Sequence, residues 1–189
     1  MSLPQARFPA MSRWLHWSMA AMIIAMLFIG VGMAATASSK YRLLVSIHRP
    51  LGIAILVLVI LRLINRWLNP PPPLPRSLPV LQRFAAEASH YVLYALMFAM
   101  PMVGWAMLSA APYPIVMFGS LHLPPLLSPD AMTYALLRRL HTYLAFAFFA
   151  TIVVHFGAAL LHALIRRDGV FQSMASARRA GPSKGEAPR

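Results

Sequence analysis

The chain of 189 residues is 59% hydrophobic and only 11% charged, with a mean hydropathy of +0.64. Soluble domains usually contain about 25% charged residues, so the composition excludes an ordinary soluble domain and indicates an integral membrane protein. The absence of cysteine excludes disulfides, thiolate nucleophiles, iron–sulfur clusters and covalently attached c-type haem.

Four long apolar segments follow one another along the chain, from about residue 14 to 35, 45 to 64, 89 to 108 and 140 to 165. Each is close to the roughly 20 residues that a helix needs to cross about 30 Å of hydrocarbon. Because backbone polar groups in lipid must pair with one another, the segments are predicted to be helices. The predicted fold class is therefore an all-α integral membrane four-helix bundle, with residues 1–174 as the transmembrane domain.

The first segment has some features of a secretory signal peptide. Arg7 and Arg13 precede it, and Ala35-Thr36-Ala37 at its end fits the cleavage pattern. Signal peptides have an apolar core of only about 7–15 residues, and this run is longer. An uncleaved first helix is predicted.

Proline-rich stretches separate the later segments. The stretch NPPPPLPRSLP at 69–79 predicts a stiff, extended connection. The stretch at 112–130 is too rich in proline for a helix but apolar enough to rest on the membrane surface. The basic tail at 175–189, rich in alanine, arginine, glycine and proline, is predicted to be disordered.

The basic residues predict the orientation of the bundle. With four helices, both termini lie on one side, which holds twelve of the 17 lysines and arginines, so the positive-inside rule puts the termini in the cytoplasm. The net charge of +13 thus reflects topology and contacts with anionic lipid headgroups, and no nucleic-acid partner is predicted. Arg62 and Arg66 are predicted to extend towards the inner membrane surface. The five basic residues on the outer side are Lys40, Arg42, Arg49, Arg138 and Arg139.

Histidine at membrane depth is costly and therefore indicates function. His141 and His155 are 14 residues apart in the fourth segment, which returns them to within about 40° of one helix face, about 21 Å apart along the axis. His48 is predicted to share the outer level with His141, and His16 the inner level with His155. Two histidines that face each other across a bundle make the axial ligands of a b-type haem, so two such pairs predict two haems and electron transfer across the membrane.

Other interpretations of individual residues stay open. A single membrane histidine often only hydrogen-bonds a neighbouring helix, which is our interpretation of His90 and His122, with His90 kept as a reserve ligand at the inner level. Gly52, Gly104 and Gly157 either let a flat macrocycle approach the backbone or serve ordinary helix packing. A zinc site is disfavoured because the two levels lie too far apart to share an ion, and a proton relay because buried carboxylates are scarce.

Four stretches are informative beyond their hydropathy. They are RWLHW at 13–17, IHRPLGIAILVLVILRL at 47–63, SHYVLYALMFAMPMVGW at 89–105 and RRLHTYLAFAFFATIVVHFGAALLHALIRRDGV at 138–170. In this order and spacing they resemble the bacterial cytochrome b561 family. The resemblance implies a four-helix bundle in the inner membrane with two b haems, ligated by His16 with His155 and by His48 with His141.

The resemblance also implies that ubiquinone accepts electrons on the cytoplasmic side. There His162 matches a position of quinone contact, and Trp17 lies near it. The chain departs from the family at Trp14, where a serine near the quinone is frequent. It departs again at Pro50, and because proline fits best in the first turn of a helix, His48 is predicted to lie at the very start of its helix.

Two functional hypotheses follow. In the first, the chain is a superoxide:ubiquinone oxidoreductase, in which Arg49, Arg138 and Arg139 surround the outer haem and attract the superoxide anion. In the second, it is a membrane-anchor cytochrome b subunit, and the apolar stretch 117–127 docks a periplasmic electron donor such as a partner dehydrogenase. A non-haem transporter is disfavoured, because the apolar segments are uninterrupted and lack acidic residues.

Overall fold

The computed structural model describes residues 7–74, 78–117 and 120–175, and it consists mainly of four long helices. They are α1 (Ala10–Ala35), α2 (Ser39–Leu68), α3 (Val80–Ala110) and α4 (Ala131–Leu160), and α4 continues as a π-helical segment (Leu161–Arg166). Each of the four is long and apolar enough to cross a membrane. The predicted all-α four-helix membrane bundle is confirmed.

Every helix begins before its apolar run, and α4 begins at residue 131 where the run begins at 140. Capping side chains mark two of these starts. Ser38 Oγ accepts a hydrogen bond from the N–H of Lys40 (3.3 Å), and the Asp130 carboxylate accepts one from the N–H of Thr133 (2.7 Å). Hydrogen bonds from Thr133 also lower the pKa of Asp130, which keeps the capping carboxylate charged. Hydropathy therefore marks the hydrocarbon-spanning part of each helix, and these caps mark where α2 and α4 begin.

Helices that are neighbours in the chain pack against each other, α1 against α2, α2 against α3 and α3 against α4. The core between them is apolar, and Met19 and Val59 are its largest fully buried side chains. Its other members are Ile23, Ile55, Leu56, Leu93, Leu96, Met97 and Phe148. Large side chains such as Phe28 and Trp67 are 75% and 82% exposed, which suits a surface that faces lipid tails.

The bundle has two ends, named here by what they carry. The hairpin end carries the α1–α2 connection at 36–38 and the α3–α4 connection at 111–130. The terminal end carries the start of α1, the α2–α3 connection at 69–79 and the end of α4.

The α3–α4 connection contains a short antiparallel hairpin of β1 (Val116–Met117) and β2 (Leu121–His122). His122, predicted to be a plain loop residue, lies in β2. The indole Nε1 of Trp105 donates to the Pro124 carbonyl (2.9 Å), which fastens the connection to α3. The α3–α4 connection therefore has secondary structure of its own and is hydrogen-bonded to α3.

At the terminal end the chain reverses direction after the π segment and forms the short helix α5 (Val170–Ala175). Arg167 (φ 51°) and Gly169 (φ 83°) make the reversal in the left-handed region. The indole Nε1 of Trp17 donates to the Met174 carbonyl (3.2 Å), so α5 lies against the first turns of α1.

Two predicted segments fall partly outside the described residues. The proline-rich connection has no helix or strand in its described part, residues 69–74 with 78 and 79. The tail predicted to be disordered begins at 175, but Ala175 is the last residue of α5, and 176–189 lie outside the described residues.

Candidate functional site

Two histidine pairs bridge the bundle at two levels. His48 of α2 faces His141 of α4 towards the hairpin end, and His16 of α1 faces His155 of α4 towards the terminal end. In both pairs the ring centroids are 6.3 Å apart and the ring planes are inclined at 67°. The structure thus brings together the residues that the sequence pairs by depth.

The 6.3 Å separation has a direct chemical meaning. A bond from a metal to an imidazole nitrogen is about 2 Å long, and roughly 1 Å separates that nitrogen from the ring centre, so two imidazoles on opposite sides of one metal have centres about 6 Å apart. Both pairs match the spacing of trans ligands.

Two of these histidines lie deeper along their helices than the sequence predicts. His48 is in a helix that begins at residue 39, and His141 in one that begins at residue 131. The prediction that His48 lies at the very start of its helix is therefore wrong. Pro50 lies inside α2 without ending it, because membrane helices tolerate a missing N–H when other groups pair the freed carbonyl.

The pair at the hairpin end is closely surrounded. Nδ1 of His48 is buried and makes no hydrogen bond with any described residue, which is rare for a buried polar atom. A Cβ built on Gly104 would lie 3.3 Å from Cε1 of His141, so α3 approaches this ring closely because residue 104 has no side chain. A Cβ at Gly52 would make only an ordinary contact at 3.7 Å, and one at Gly157 would meet nothing within 4 Å.

Arg62 enters the bundle beside the pair at the terminal end. Its Nη2 lies 2.9 Å from Nδ1 of His16, and its Nε donates to the hydroxyl of Tyr94 (3.0 Å). The prediction that Arg62 extends towards the membrane surface is therefore wrong. A signal for this position existed in the sequence, since Arg62 follows His48 by the same 14 residues that separate His141 and His155, and therefore lies near the same helix face as His48.

A third imidazole, His90 of α3, lies beside the terminal pair. Its ring centroid is 5.3 Å from that of His155, with the planes at 78°. Its Nδ1 lies 2.7 Å from the Ala86 carbonyl oxygen, so Nδ1 donates and Nε2 of the neutral ring carries no proton. His155 thus has two neighbouring imidazoles. His16 lies at the spacing expected of two ligands on opposite sides of one metal. His90 lies closer, but its tautomer is the one typical of a metal ligand.

The predicted quinone contacts, Trp17 and His162, both lie at the terminal end. The Trp17 ring stands edge-on to that of His16 with centroids 5.2 Å apart. His162 is in the π segment, and its Nδ1 lies 2.6 Å from Oδ2 of Asp168. Sequence reasoning missed Asp168, because a spacing of six residues does not place two side chains on one helix face.

Three of the five basic residues predicted on the outer side share one cavity. Arg42, Arg49 and Arg138 line a space of about 1140 Å³ next to α2, α4 and the hairpin loop. Arg139 lies in an adjoining space of about 370 Å³, which Arg138 also lines. Sequence reasoning missed the phenols of the larger cavity, which come from three separate segments. They are Tyr41, Tyr113 and Tyr134.

The chain is similar to known proteins along most of its length. Residues 7–177 match the family model for prokaryotic cytochrome b561. "Cytochrome b561 homolog 2" of Escherichia coli (strain K12) is 30% identical over 171 residues, which cover 89% of this chain and 90% of that protein. "Cytochrome b561 homolog 1" of the same organism is 30% identical over 181 residues, covering 89% and 96%. "Probable superoxide oxidase CybB" of Yersinia pestis is 33% identical over 129 residues, covering 68% and 72%.

The family match takes in all four helices, both histidine pairs and α5. The bundle, its membrane-spanning helices and its facing imidazoles agree with that match. The chain therefore belongs to the prokaryotic cytochrome b561 family of membrane electron-transfer proteins, a family that implies b-type haem.

Proposed function

We propose that this protein is a di-haem b-type cytochrome of the inner membrane that passes electrons from superoxide on the periplasmic side to ubiquinone on the cytoplasmic side. The observation that carries the proposal is the matched geometry of the two imidazole pairs, 6.3 Å and 67° at each of two levels. In this orientation the hairpin end is periplasmic and the terminal end is cytoplasmic, as the distribution of lysine and arginine supports.

The residues that would hold the two haems are His48 with His141 at the hairpin end and His16 with His155 at the terminal end. A haem bound at each pair supplies an iron that takes up and releases one electron. Among the described residues, none forms a hydrogen bond with the buried Nδ1 of His48, and an imidazole is rarely buried without a partner. This unpaired nitrogen supports a bound group at this pair that the described side chains do not supply.

Arg62 is the residue placed to hold a haem carboxylate at the terminal level. A guanidinium has donors only, so His16 Nδ1 accepts in the present hydrogen bond and the ring proton lies on Nε2. If Nε2 held a haem iron, the ring proton would lie on Nδ1, and Arg62 would need another acceptor. Arginine pairs strongly with carboxylates, and the bond to Tyr94 keeps its side chain in the bundle.

The cavity at the hairpin end supports an anionic donor. Arg42, Arg49 and Arg138 give its lining three positive charges. A cleft lined by one sign of charge raises the encounter rate of small molecules of the opposite sign. Superoxide is such a molecule, and one relative carries the name of a probable superoxide oxidase.

Trp17 and His162 are the proposed contacts of ubiquinone at the terminal end. The Trp17 side chain is 46% exposed beside His16, and an indole offers a face on which a flat ring can stack. Nδ1 of His162 is taken by Asp168, which leaves Nε2 as the nitrogen available to a quinone carbonyl.

A second candidate function is that of a membrane-anchor cytochrome b subunit for a partner dehydrogenase. The observation that favours it is an exposed apolar rim on the α3–α4 connection, where Leu121, Leu126 and Leu127 are 53%, 41% and 41% exposed. Such a rim suits a protein partner. Met117, which the sequence placed in this patch, is buried at 6%, so the rim is smaller than predicted.

Stopped-flow mixing with pulse-generated superoxide tests the proposed donor. Haem reduction is expected to approach the diffusional ceiling of about 10⁸–10⁹ M⁻¹s⁻¹. The rate is expected to fall as salt rises, because the Debye length shrinks to about 8 Å at 0.15 M ionic strength. A slow reaction that salt does not change would reject superoxide and favour the dehydrogenase partner.

Two neighbouring arginines give a matched comparison for the same measurement. Arg138→Gln and Arg139→Gln each remove one charge, but only Arg138 lines the larger cavity. The superoxide rate constant is expected to fall several-fold in Arg138→Gln and less in Arg139→Gln, with both haem spectra unchanged. Equal losses in the two variants would mean that only net charge matters and that the cavity is not the entry site.

Gly104→Ala is expected to disturb the hairpin-level haem alone. The new methyl group would lie 3.3 Å from Cε1 of His141, and a ring tethered to iron cannot easily move aside. Gly30→Ala, whose Cβ meets nothing within 4 Å, is the control, and both alanines favour the helix by up to about 1 kcal/mol. A redox titration that resolves the two haems checks this, and identical titrations for the two variants would contradict it.

A further inference from the structure

The end of α4 holds a titratable pair whose role the ligand assignments leave open. His162 Nδ1 and Asp168 Oδ2 are 2.6 Å apart, and the two side chains are 17% and 18% exposed. The contact joins an imidazole nitrogen to a carboxylate oxygen, and it is an ion pair when the imidazole is protonated on both nitrogens. It lies at the terminal end, where the proposed function puts the quinone.

The backbone is shaped to make this contact. In a regular α-helix, side chains six residues apart point in directions about 120° apart around the axis. Here the π segment widens the last turn, and Arg167 reverses the chain at φ 51°, with its N–H donating to the His162 carbonyl (2.9 Å). Non-glycine residues rarely adopt this conformation, so the local fold accepts strain to bring Asp168 back beside His162.

Both carboxylate oxygens of Asp168 are occupied. Oδ2 meets the imidazole, and Oδ1 accepts from the N–H of Val170 (3.2 Å), which fixes the carboxylate at the start of α5. The neighbouring Arg167 donates its Nε to the Leu164 carbonyl (3.1 Å). The carboxylate is therefore held in place against the imidazole.

This arrangement defines the protonation of the ring. A carboxylate only accepts hydrogen bonds, so Nδ1 of His162 carries a proton. Asp168 can hold that proton whether or not Nε2 carries one. Nε2 is consequently the nitrogen that is free to exchange a proton with a substrate or with water.

We propose that His162 and Asp168 form a proton-relay pair that supplies protons to the quinone, an inference that rests on the proposed function. Reduction of one quinone to a quinol takes two protons and two electrons, and two molecules of the proposed donor superoxide would supply the electrons, one each. Each proton passes from Nε2 to a quinone oxygen, where the N–H bond breaks as the O–H bond forms. Nε2 then takes a new proton from water at the terminal end, while the Nδ1 proton stays with Asp168. His162 touches the substrate, and Asp168 is a positioning residue.

Asp168→Asn tests the pair with little change in shape. The single amide oxygen can still accept the hydrogen bond from the N–H of Val170 at the start of α5. The amide then has no second oxygen to accept a hydrogen bond from Nδ1 of His162. Oxidation of the reduced haem by a short-chain ubiquinone is expected to slow about tenfold or more at saturation, with KM changed by less than about twofold. Oxidation by ferricyanide, which takes no proton, is expected to keep the wild-type rate, as is the haem spectrum.

Three companion variants separate a relay from a structural role. Asp130→Asn removes the other helix-capping carboxylate, at the hairpin end, and is expected to leave quinone reduction unchanged. Asp168→Glu restores the carboxylate and is expected to recover part of the rate. In a His162→Ala background, Asp168→Asn is expected to cost nothing further, because the two residues act as one unit.

Each alternative outcome has its own meaning. If ubiquinone does not oxidise the reduced haem of the unaltered protein, the proposed function fails and the relay with it. If it does, and Asp168→Asn reacts at the same rate, the relay alone is overturned. Equal slowing with ubiquinone and ferricyanide, or loss of haem, would assign Asp168 a purely structural role and would also overturn the relay.

Discussion

In a His48→Ala variant, the haem content is expected to fall from about two per chain to about one, as measured by the pyridine haemochrome assay. The reason is geometric. His48 and His141 face each other at 6.3 Å. No other histidine ring of the described residues contacts either of them, so the variant would keep only one of the two histidines that would hold this haem. The remaining haem should keep its spectrum, because the terminal-level pair is on other turns of the bundle.

His122→Ala is the matched control for this experiment. His122 lies in β2 at the same end and is exposed. Its Nδ1 lies 3.0 Å from the Ser120 carbonyl oxygen. Its loss is expected to leave both haems in place. Two haems in His48→Ala, or one in His122→Ala, would show that the hairpin-level ligands are assigned wrongly.

The second large effect is expected at the terminal level, where His155 has two neighbours. His16→Ala is expected to lose one haem and to abolish haem oxidation by ubiquinone, whereas His90→Ala is expected to keep both haems. The spacing decides this, because the His16–His155 pair repeats the 6.3 Å and 67° of the hairpin-level pair, and the His90–His155 distance of 5.3 Å is short for trans ligands.

The hydrogen bonds at this level instead favour His90 as the ligand, so comparing the two variants decides between ring spacing and tautomer. His90 Nδ1 donates to Ala86 and leaves Nε2 unprotonated, as metal ligands require, while Arg62 occupies Nδ1 of His16. If His90→Ala loses a haem and His16→Ala does not, tautomer outweighs spacing and His90 is the ligand. Low-temperature spectra of the two variants measure the same distinction, since only a true ligand changes the iron's coordination.

The four helices and the pairing of histidines could be predicted because both depend on regular periodicity. Hydropathy over about 20 residues identifies a membrane span, and a spacing of 14 residues places His141 and His155 near one helix face. Hydropathy predicts later starts for α2 and α4 than the structure has. Both helices begin at polar caps, Ser38 and Asp130, which lie outside any apolar window.

The contacts that could not be predicted depend on departures from regular geometry. Asp168 reaches His162 only because the π segment and the reversal at Arg167 change the direction of the chain. The cavity at the hairpin end joins Tyr113 and Tyr134 across the hairpin connection, and no spacing in the sequence relates them. Arg62 is an intermediate case, since its helix face was readable but its partners on α1 and α3 were not.

One helix contributes a ligand to each imidazole pair, and this determines how the two levels relate to each other. His141 and His155 are joined by a continuous stretch of α4 about 21 Å long, so covalent geometry sets the distance between the levels. Sliding or tilting of α1 changes only the pair at the terminal end, and that of α2 only the pair at the hairpin end, and neither movement changes that distance. A single inserted residue between His141 and His155 would rotate one ring by about 100° about the helix axis and would break one of the two pairs.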